Sequence, residues 1–236
     1  MKENIRPIYI RTHDYAAIHG FEEMAKALEV VEIDANDINR IMEWDECLDV
    51  SEMLINLHAD ITHEEEDALI AAVLLHEYAE SFAGNIEEII EGELGFSDTV
   101  CEILEIITAD SIQTEEEQQA YYERVQSNKL ALLAALGIRA NLIQNLHQYS
   151  TWNAHRYIDE TKACYYPMCI YGKEHYHELL APISVLMEKM KSIIELAEIM
   201  IRRYEARETE LMEDILALRE ENATIRGIIG KFKAGK

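Results

Sequence analysis

The sequence has few of the residues that interrupt helices. Only 3 Pro and 9 Gly occur among its 236 residues, while 49% of the residues are hydrophobic and 28% are charged. This balance excludes collagen-like chains and low-complexity disordered chains, because both contain far more Pro, Gly or polar sequence. The length suits one domain of good size, or one domain with an appendage. We therefore predict an all-α fold with a substantial core.

Positive charge and long apolar runs are also scarce. The 21 Lys and Arg against 46 Asp and Glu leave a net charge of −25, which repels nucleic-acid phosphates and anionic lipid. The longest apolar runs, such as Ala68–Leu75 and Ala131–Leu136, fall short of the roughly 18 residues that cross a bilayer. The four cysteines contain no CxxC pair, which favours reduced thiols. These features predict a soluble cytoplasmic protein with neither nucleic acid nor a membrane as partner.

The chain is predicted to have three parts. Residues 1–45 form an N-terminal segment whose role the sequence leaves open, and Ile5–Ile18 within it is poorly periodic, which indicates a short strand or a loop. Residues 46–182 form a helical domain. Residues 183–236 form one long helix.

Two helices are predicted to lie at the centre of that domain. Ala68–Leu75 and Leu130–Leu142 are apolar on nearly every face, which is typical of a helix surrounded by others. A capping-box pattern at Thr62–Glu65 starts the first of them. Pro167 and Gly172 indicate a turn before the last long helix.

The long C-terminal helix carries a heptad pattern. Alternate steps of four and three residues from Ile183 to Ile229 meet apolar residues except at Glu208 and Asn222. This spacing is typical of a coiled coil, and a polar residue such as Asn222 fixes register in two-stranded coils. We expect Ile183–Ile201 to pack on its own domain and Tyr204–Ile229 to join copies into a homo-oligomer. The alternative is a helix that folds back and buries its apolar face on its own domain.

A short set of motifs carries the candidate chemistry. The apolar helix ends in Leu74-Leu-His76-Glu77, with Glu80-Ser81 one turn later, and Leu94-Gly95-Phe96 follows. Further along, Ile106-Ile-Thr108 and Asp159-Glu160-Thr161 stand in the same order as in one known family. Together these segments resemble the HD-domain phosphohydrolases, and more specifically the RelA/SpoT-type hydrolases that remove pyrophosphate from guanosine tetraphosphate (ppGpp).

The resemblance implies a helical fold, a divalent metal ion and a guanine-nucleotide substrate. In such enzymes a manganese or zinc ion held by His and Asp lowers the pKa of a bound water, and a nearby acidic pair positions that water and moves protons. On this sequence the implied metal ligands are His76, Glu77 and Cys47, and the implied catalytic carboxylates are Glu80 and Glu77. The implied substrate-binding residues are Arg139, Asn141 and His147.

Several positions depart from the family pattern. Cys47 stands where the family has a His, Glu77 replaces Asp, Ser81 replaces an acidic residue, and Gly137 aligns with the last Asp ligand. Loss of a metal ligand lowers metal affinity strongly. Two hypotheses follow: a non-catalytic protein that binds a nucleotide or another protein as an oligomer, with no bound cofactor, or an active metal-dependent phosphohydrolase with unusual ligands. Under the first hypothesis His76 is a hydrogen-bonded core residue.

Overall fold

The protein is helical throughout the described part of the chain. The computed structural model describes residues 6–34, 41–80, 85–108 and 114–234, and no strand occurs in these ranges. The predicted all-α fold is confirmed. The α-helices are α1 (Arg6–His19), α2 (Glu22–Asp34), α3 (Ile41–Leu57), α4 (His63–Glu80), α5 (Asp98–Ile107), α6 (Glu115–Ser127), α7 (Lys129–Gln144), α8 (Thr151–Glu160), α9 (Tyr166–His175) and α10 (Leu180–Ala234). Short π-helical segments cover Glu87–Glu93 and Thr161–Tyr165, and 3-10 turns cover Leu146–Gln148 and His177–Leu179.

Helices α4 and α7 form the centre, as the sequence predicts. Every residue from Asp67 to His76 of α4 is buried, and so is every residue from Leu130 to Gly137 of α7. The two helices contact each other, and α4 also contacts α2, α3 and α5. A helix that is apolar on every face buries its surface only when other helices pack on all sides of it.

Local side-chain caps set the starts of several helices. Before α4, Thr62 and Glu65 exchange side-chain to backbone hydrogen bonds of 3.0 and 3.2 Å, so the predicted capping box is confirmed. Thr114 and Glu117 make the same pair before α6. Asn128 starts α7, because its side-chain oxygen accepts from two backbone N–H groups of the first turn.

The N-terminal segment is helical, and the prediction of a strand or loop over Ile5–Ile18 is wrong for the described residues. Helix α1 packs on α2 and α3, with Thr12 and Ala16 buried. An ion pair of 2.6 Å joins Arg11 to Glu52 of α3. The sequence of α1 shows little helical periodicity, because the strip that it buries is narrow and contains the small or polar residues Thr12 and Ala16. Its helix therefore depends on tertiary contacts more than on sequence pattern.

Pro167 and Gly172 do not form the predicted turn, since both lie inside α9. Pro167 lies just after the π-helical segment Thr161–Tyr165, where the backbone stays helical and the N–H of Tyr166 donates five residues back to the carbonyl of Thr161. A Cβ atom at Gly172 would lie 2.6 Å from Cδ1 of Ile183 and 2.7 Å from Cδ2 of Leu132. The glycine is needed for close packing and not for a turn.

The chain divides near Lys191 into two compact units, so α10 contributes to both. In the first unit, Ile183, Met187 and Met190 of α10 are buried. In the second unit, the described side chains from Arg202 onward are exposed. None of the helices in the described ranges has the length and apolar character needed to span a membrane.

Candidate functional site

The candidate site is a cavity at the C-terminal end of α4. Helices α3, α4 and α7 pack on one another there and enclose about 210 Å³. We call this space the His76 cavity. It is lined by Glu46, Cys47, Val50, Val73, His76, Glu77, Glu80, Ile138, Asn141 and Leu142. The structure therefore brings together five of the residues that the sequence singled out: Cys47, His76, Glu77, Glu80 and Asn141.

His76 lies at the centre of this group, with its side chain only 10% exposed. Its Nδ1 is 3.6 Å from Oε1 of Glu77, and its Nε2 is 3.6 Å from Oε1 of Glu80. Both distances exceed those of hydrogen bonds, which are close to 3 Å, so neither contact is a hydrogen bond. The side chain of Glu80 is half exposed, whereas that of Glu77 is mostly covered. The imidazole thus lies between two carboxylates at the edge of the core.

Cys47 is a neutral thiol in this arrangement. Burial raises the pKa of its thiol far above the ordinary value, and the nearby carboxylate of Glu77 raises this pKa further. Glu46 and Glu80 act in the same direction. Because a metal ligand or a nucleophile must be the thiolate, Cys47 is unsuited to either role without a cation beside it.

The described residues around the cavity do not form a ready-made metal centre. Within the described ranges, no group of three or more His, Cys, Asp or Glu side chains is disposed to hold a metal ion. The predicted ligands His76, Glu77 and Cys47 surround one cavity without forming a coordination set, so their metal role stays a prediction.

Gly137 explains the close approach of α7 to α3 beside the cavity. A Cβ atom at this position of α7 would lie 2.9 Å from Cδ2 of Leu54 and 3.3 Å from Cγ1 of Val50. The glycine therefore allows α7 to pass close to α3 directly beside the cavity, where Val50 is also a lining residue. A carboxylate at position 137 would have to displace these side chains.

Asn141 lines the cavity and is buried. Its side-chain oxygen accepts a long hydrogen bond, 3.4 Å, from the amide of Asn145 one turn later. Asn141 is thus the only predicted substrate-binding residue, among the described residues, that the structure places at the His76 cavity. His147 lies in an exposed 3-10 turn and is not among the lining residues.

Arg139 lies in a different environment. It is buried, its Nε donates to Oγ1 of Thr161 at 2.8 Å, and its Nη2 donates to Oε2 of Glu160 at 2.8 Å and to the carbonyl of Tyr157 at 2.9 Å. The ring of Tyr165 lies 4.4 Å from the guanidinium carbon. These contacts fix α8 to α7. The structure does not bring Arg139 to the His76 cavity, where a phosphate contact was expected.

Two residues near the site were missed by the sequence reasoning. Glu46 lines the cavity, and its position next to Cys47 in sequence was the available signal. Tyr149 lies close by, since burial and the carboxylate of Glu46 raise the pKa of its phenol, with smaller effects from Tyr157 and Glu77. No local pattern marked Tyr149, because it comes from a turn far along the chain.

A second cavity of about 510 Å³ lies on the outer side of α8. Its lining residues are Gln118, Trp152, His155, Arg156, Asp159, Glu160, Ala163 and Cys164. Trp152 is 70% exposed, and the guanidinium of Arg156 lies 5.5 Å from its ring centre. His155 lines this second cavity and not the His76 cavity.

No family model matches this chain, and neither does any curated protein or solved structure. The resemblance to HD-domain phosphohydrolases therefore stays a prediction from sequence motifs.

Proposed function

We propose that this chain is a non-catalytic, HD-like helical protein that works by binding another protein chain as a homo-oligomer. The observation that carries this proposal is the composition of the His76 cavity. The residues that align with the family's catalytic machinery meet there, which supports the HD-like relationship. They meet, however, as carboxylates around a neutral thiol, and the described residues offer no coordination set.

The cavity is poorly suited to a nucleotide tetraphosphate. Its described lining includes the carboxylates of Glu46, Glu77 and Glu80, and neither Lys nor Arg. Phosphate groups are repelled by such a lining in the absence of a metal ion. The volume of about 210 Å³ is also below the range of roughly 300–1,000 Å³ that is usual for pockets holding drug-sized ligands.

The binding role rests on the C-terminal helix. Its stripe residues Tyr204, Leu211, Ile215, Leu218 and Ile225 are all exposed in the single chain. A row of large apolar side chains on one helix face marks an interaction surface, because monomeric proteins seldom leave such a strip in water. Pairing of two copies would cover it.

Hydrolysis of guanosine tetraphosphate tests the catalytic part of the proposal. We expect no pyrophosphate release above background with added manganese or zinc. His76→Ala and His147→Ala serve as a matched pair, since His147 is exposed outside the cavity. Turnover that is lost in His76→Ala and kept in His147→Ala would contradict the proposal. Metal analysis gives a second measurement, and a stoichiometric ion that disappears in His76→Ala would also contradict it.

Light scattering tests the oligomer. Leu218 lies on the stripe and is 56% exposed, whereas Leu216 lies off the stripe and is 54% exposed. We expect Leu218→Glu to shift the protein to the monomer mass and Leu216→Glu to leave the oligomer intact. A full-length chain that is already monomeric at micromolar concentration would overturn the proposed self-association.

The second candidate function is the metal-dependent phosphohydrolase. The observation that favours it is that Cys47 of α3 and Asn141 of α7 line the same cavity as His76, Glu77 and Glu80 at the end of α4. The hydrolysis assay and the metal analysis decide between the two candidate functions.

A further inference from the structure

We propose that the C-terminal helices of two copies pair in parallel and in register, with Asn222 facing Asn222 of the second copy. This inference rests on the self-association proposed above and adds its geometry. The surface involved is the C-terminal stripe, which we define by its described residues Tyr204, Glu208, Leu211, Ile215, Leu218, Asn222 and Ile225.

The apolar residues of the C-terminal stripe fall into the two core positions of a heptad. Ile215 occupies the position called a, and Leu211 and Leu218 occupy the position called d. A β-branched residue at a with Leu at d favours two-stranded parallel coiled coils over larger assemblies. Each of these side chains is about half exposed in the single chain, so each has surface for a partner to cover.

The two polar residues of the stripe decide the direction of pairing. Glu208 and Asn222 both occupy a positions, whereas every described d position of the stripe holds Tyr, Leu or Ile. Antiparallel helices place a residues against d residues, so in any antiparallel register both polar side chains would face apolar ones. Burial of a polar group without a partner is unfavourable. Parallel helices in register place a against a, and a shift by one heptad would set Asn222 against Ile215.

Asn222 can make the required contact. In the single chain its amide donates to the carbonyl of Leu218 at 2.9 Å, one turn earlier in its own helix. The side-chain oxygen is the group that remains to accept a hydrogen bond from Asn222 of the second copy. A pair of Asn side chains at an a position is the device that fixes register in two-stranded coils.

Glu208 would otherwise face a like charge across the pair. Arg207 precedes it at the flanking heptad position called g, directly beside the stripe. In the parallel arrangement Arg207 of the second copy lines the space that receives Glu208. This arrangement supplies an opposite charge beside each Glu208 carboxylate.

The flanking charges fit the same arrangement. Asp214 and Glu221 lie on one edge of the stripe, and Arg219 and Arg226 lie on the other. In a parallel pair in register, Asp214 meets Arg219 of the second copy and Glu221 meets Arg226, once on each side. Such edge pairs set partner orientation. An antiparallel pair also gives some attractive contacts, but near its centre Asp214 of one copy would face Asp214 of the other. The flanking charges therefore favour parallel pairing, as the polar stripe residues do.

Disulfide trapping in the full-length chain tests the direction. Glu208 at an a position and Ile225 at a d position lie about 26 Å apart along the helix at 1.5 Å per residue, and antiparallel pairing would set these two positions of opposite copies against each other. In a glutathione redox buffer, we expect Ile225→Cys to form a covalent dimer in high yield. A mixture of Glu208→Cys and Ile225→Cys should give no mixed dimer beyond a trace. Leu216→Cys, off the stripe, and the wild-type chain with its native cysteines are the controls that should not cross-link.

The possible outcomes separate the two proposals. A mixed 208–225 dimer would show antiparallel pairing and overturn the inference while leaving self-association intact. A chain that is dimeric by light scattering but cross-links in neither experiment would show that the C-terminal stripe is not the interface. A monomeric chain would overturn the proposed self-association itself.

A charge-reversal experiment provides a second measurement. Reversing two charges on each helix turns the attractive edge contacts into repulsive ones, so Arg219→Glu with Arg226→Glu should weaken self-association by about tenfold at low salt. Mixing this variant with Asp214→Arg and Glu221→Arg should restore pairing as a heterodimer. Unchanged association of the first variant would contradict the edge contacts.

Discussion

The side chain of Asp67 is expected to hold α2 in place, and its removal is the most direct test of the fold. Asp67 lies in the second turn of α4 and is buried. Its Oδ2 accepts from the backbone N–H of Glu22 at 2.9 Å and of Glu23 at 3.1 Å, and its Oδ1 accepts from that of Met24 at 2.7 Å. One carboxylate therefore caps the first turn of another helix.

The magnitude follows from these contacts. Replacement of a capping side chain by Ala costs about 0.5–2 kcal/mol, and a hydrogen bond to a charged group contributes about 1.5–3 kcal/mol. Water can reach the N–H groups of Glu22 and Glu23, which are only part-buried, whereas that of Met24 is buried and would lose its acceptor. We expect Asp67→Ala to lower the free energy of unfolding by about 3 kcal/mol. For a chain of this size that corresponds to a fall in Tm of roughly 6–12 °C.

Thermal and urea unfolding followed by circular dichroism measure this effect. Asp67→Asn keeps one side-chain oxygen but places N–H donors against the N–H groups of α2. Its free energy of unfolding should therefore lie between those of wild type and Asp67→Ala. Asp60→Ala, an exposed position before α4, is the control. Hydrogen exchange should quicken over Glu22–Asp34 in Asp67→Ala. An unfolding free energy within about 0.5 kcal/mol of wild type, as for ordinary surface changes, would refute the reasoning.

Three further predictions concern the packing and chemistry around the candidate site. Gly137→Ala should destabilise the protein by about 1–3 kcal/mol in urea unfolding, since its Cβ would lie within 2.9 Å of a Leu side chain, whereas Gly92→Ala meets nothing within 4 Å and should not destabilise it. Arg139→Met leaves the carboxylate of Glu160, now 2.8 Å from the guanidinium, without its cation and should lower the free energy of unfolding by about 3 kcal/mol. An unchanged Tm would contradict this prediction. In the folded protein at pH 8, iodoacetamide should modify the half-buried Cys164 before Cys47, because burial raises the pKa of the Cys47 thiol and keeps it protonated; mass spectrometry showing Cys47 modified first would be the contrary result.

Several features could be predicted from sequence because their cause lies within a few neighbouring residues. The capping box at Thr62–Glu65 needs only two side chains three positions apart. The burial of Ala68–Leu75 follows from a run with no polar face. The exposed stripe on α10 follows from heptad spacing in the same way. Even the meeting of Cys47 with His76 could be anticipated, through the order of the motifs that the resemblance supplied.

Tertiary structure decided what depends on residues far apart in the chain. Helix α1 lacks a periodic pattern, and its conformation depends on contacts with α2 and α3. Nothing near Asp67 indicates that it caps a helix more than 40 residues earlier. Arg139 was expected at a phosphate site, but the turn between α7 and α8 places Glu160 and Thr161 around it instead.

The sequence by itself thus determined the helical class, the two central helices and the heptad stripe, because helix periodicity and capping act over one or two turns. The tertiary structure determined the content of the His76 cavity. Packing of α3 on α4 brings Glu46 to Glu77 and Glu80, and α7 closes the cavity with Asn141. Burial beside these carboxylates keeps Cys47 protonated. Those effects depend on distances and solvent exclusion, which arise only when the helices pack.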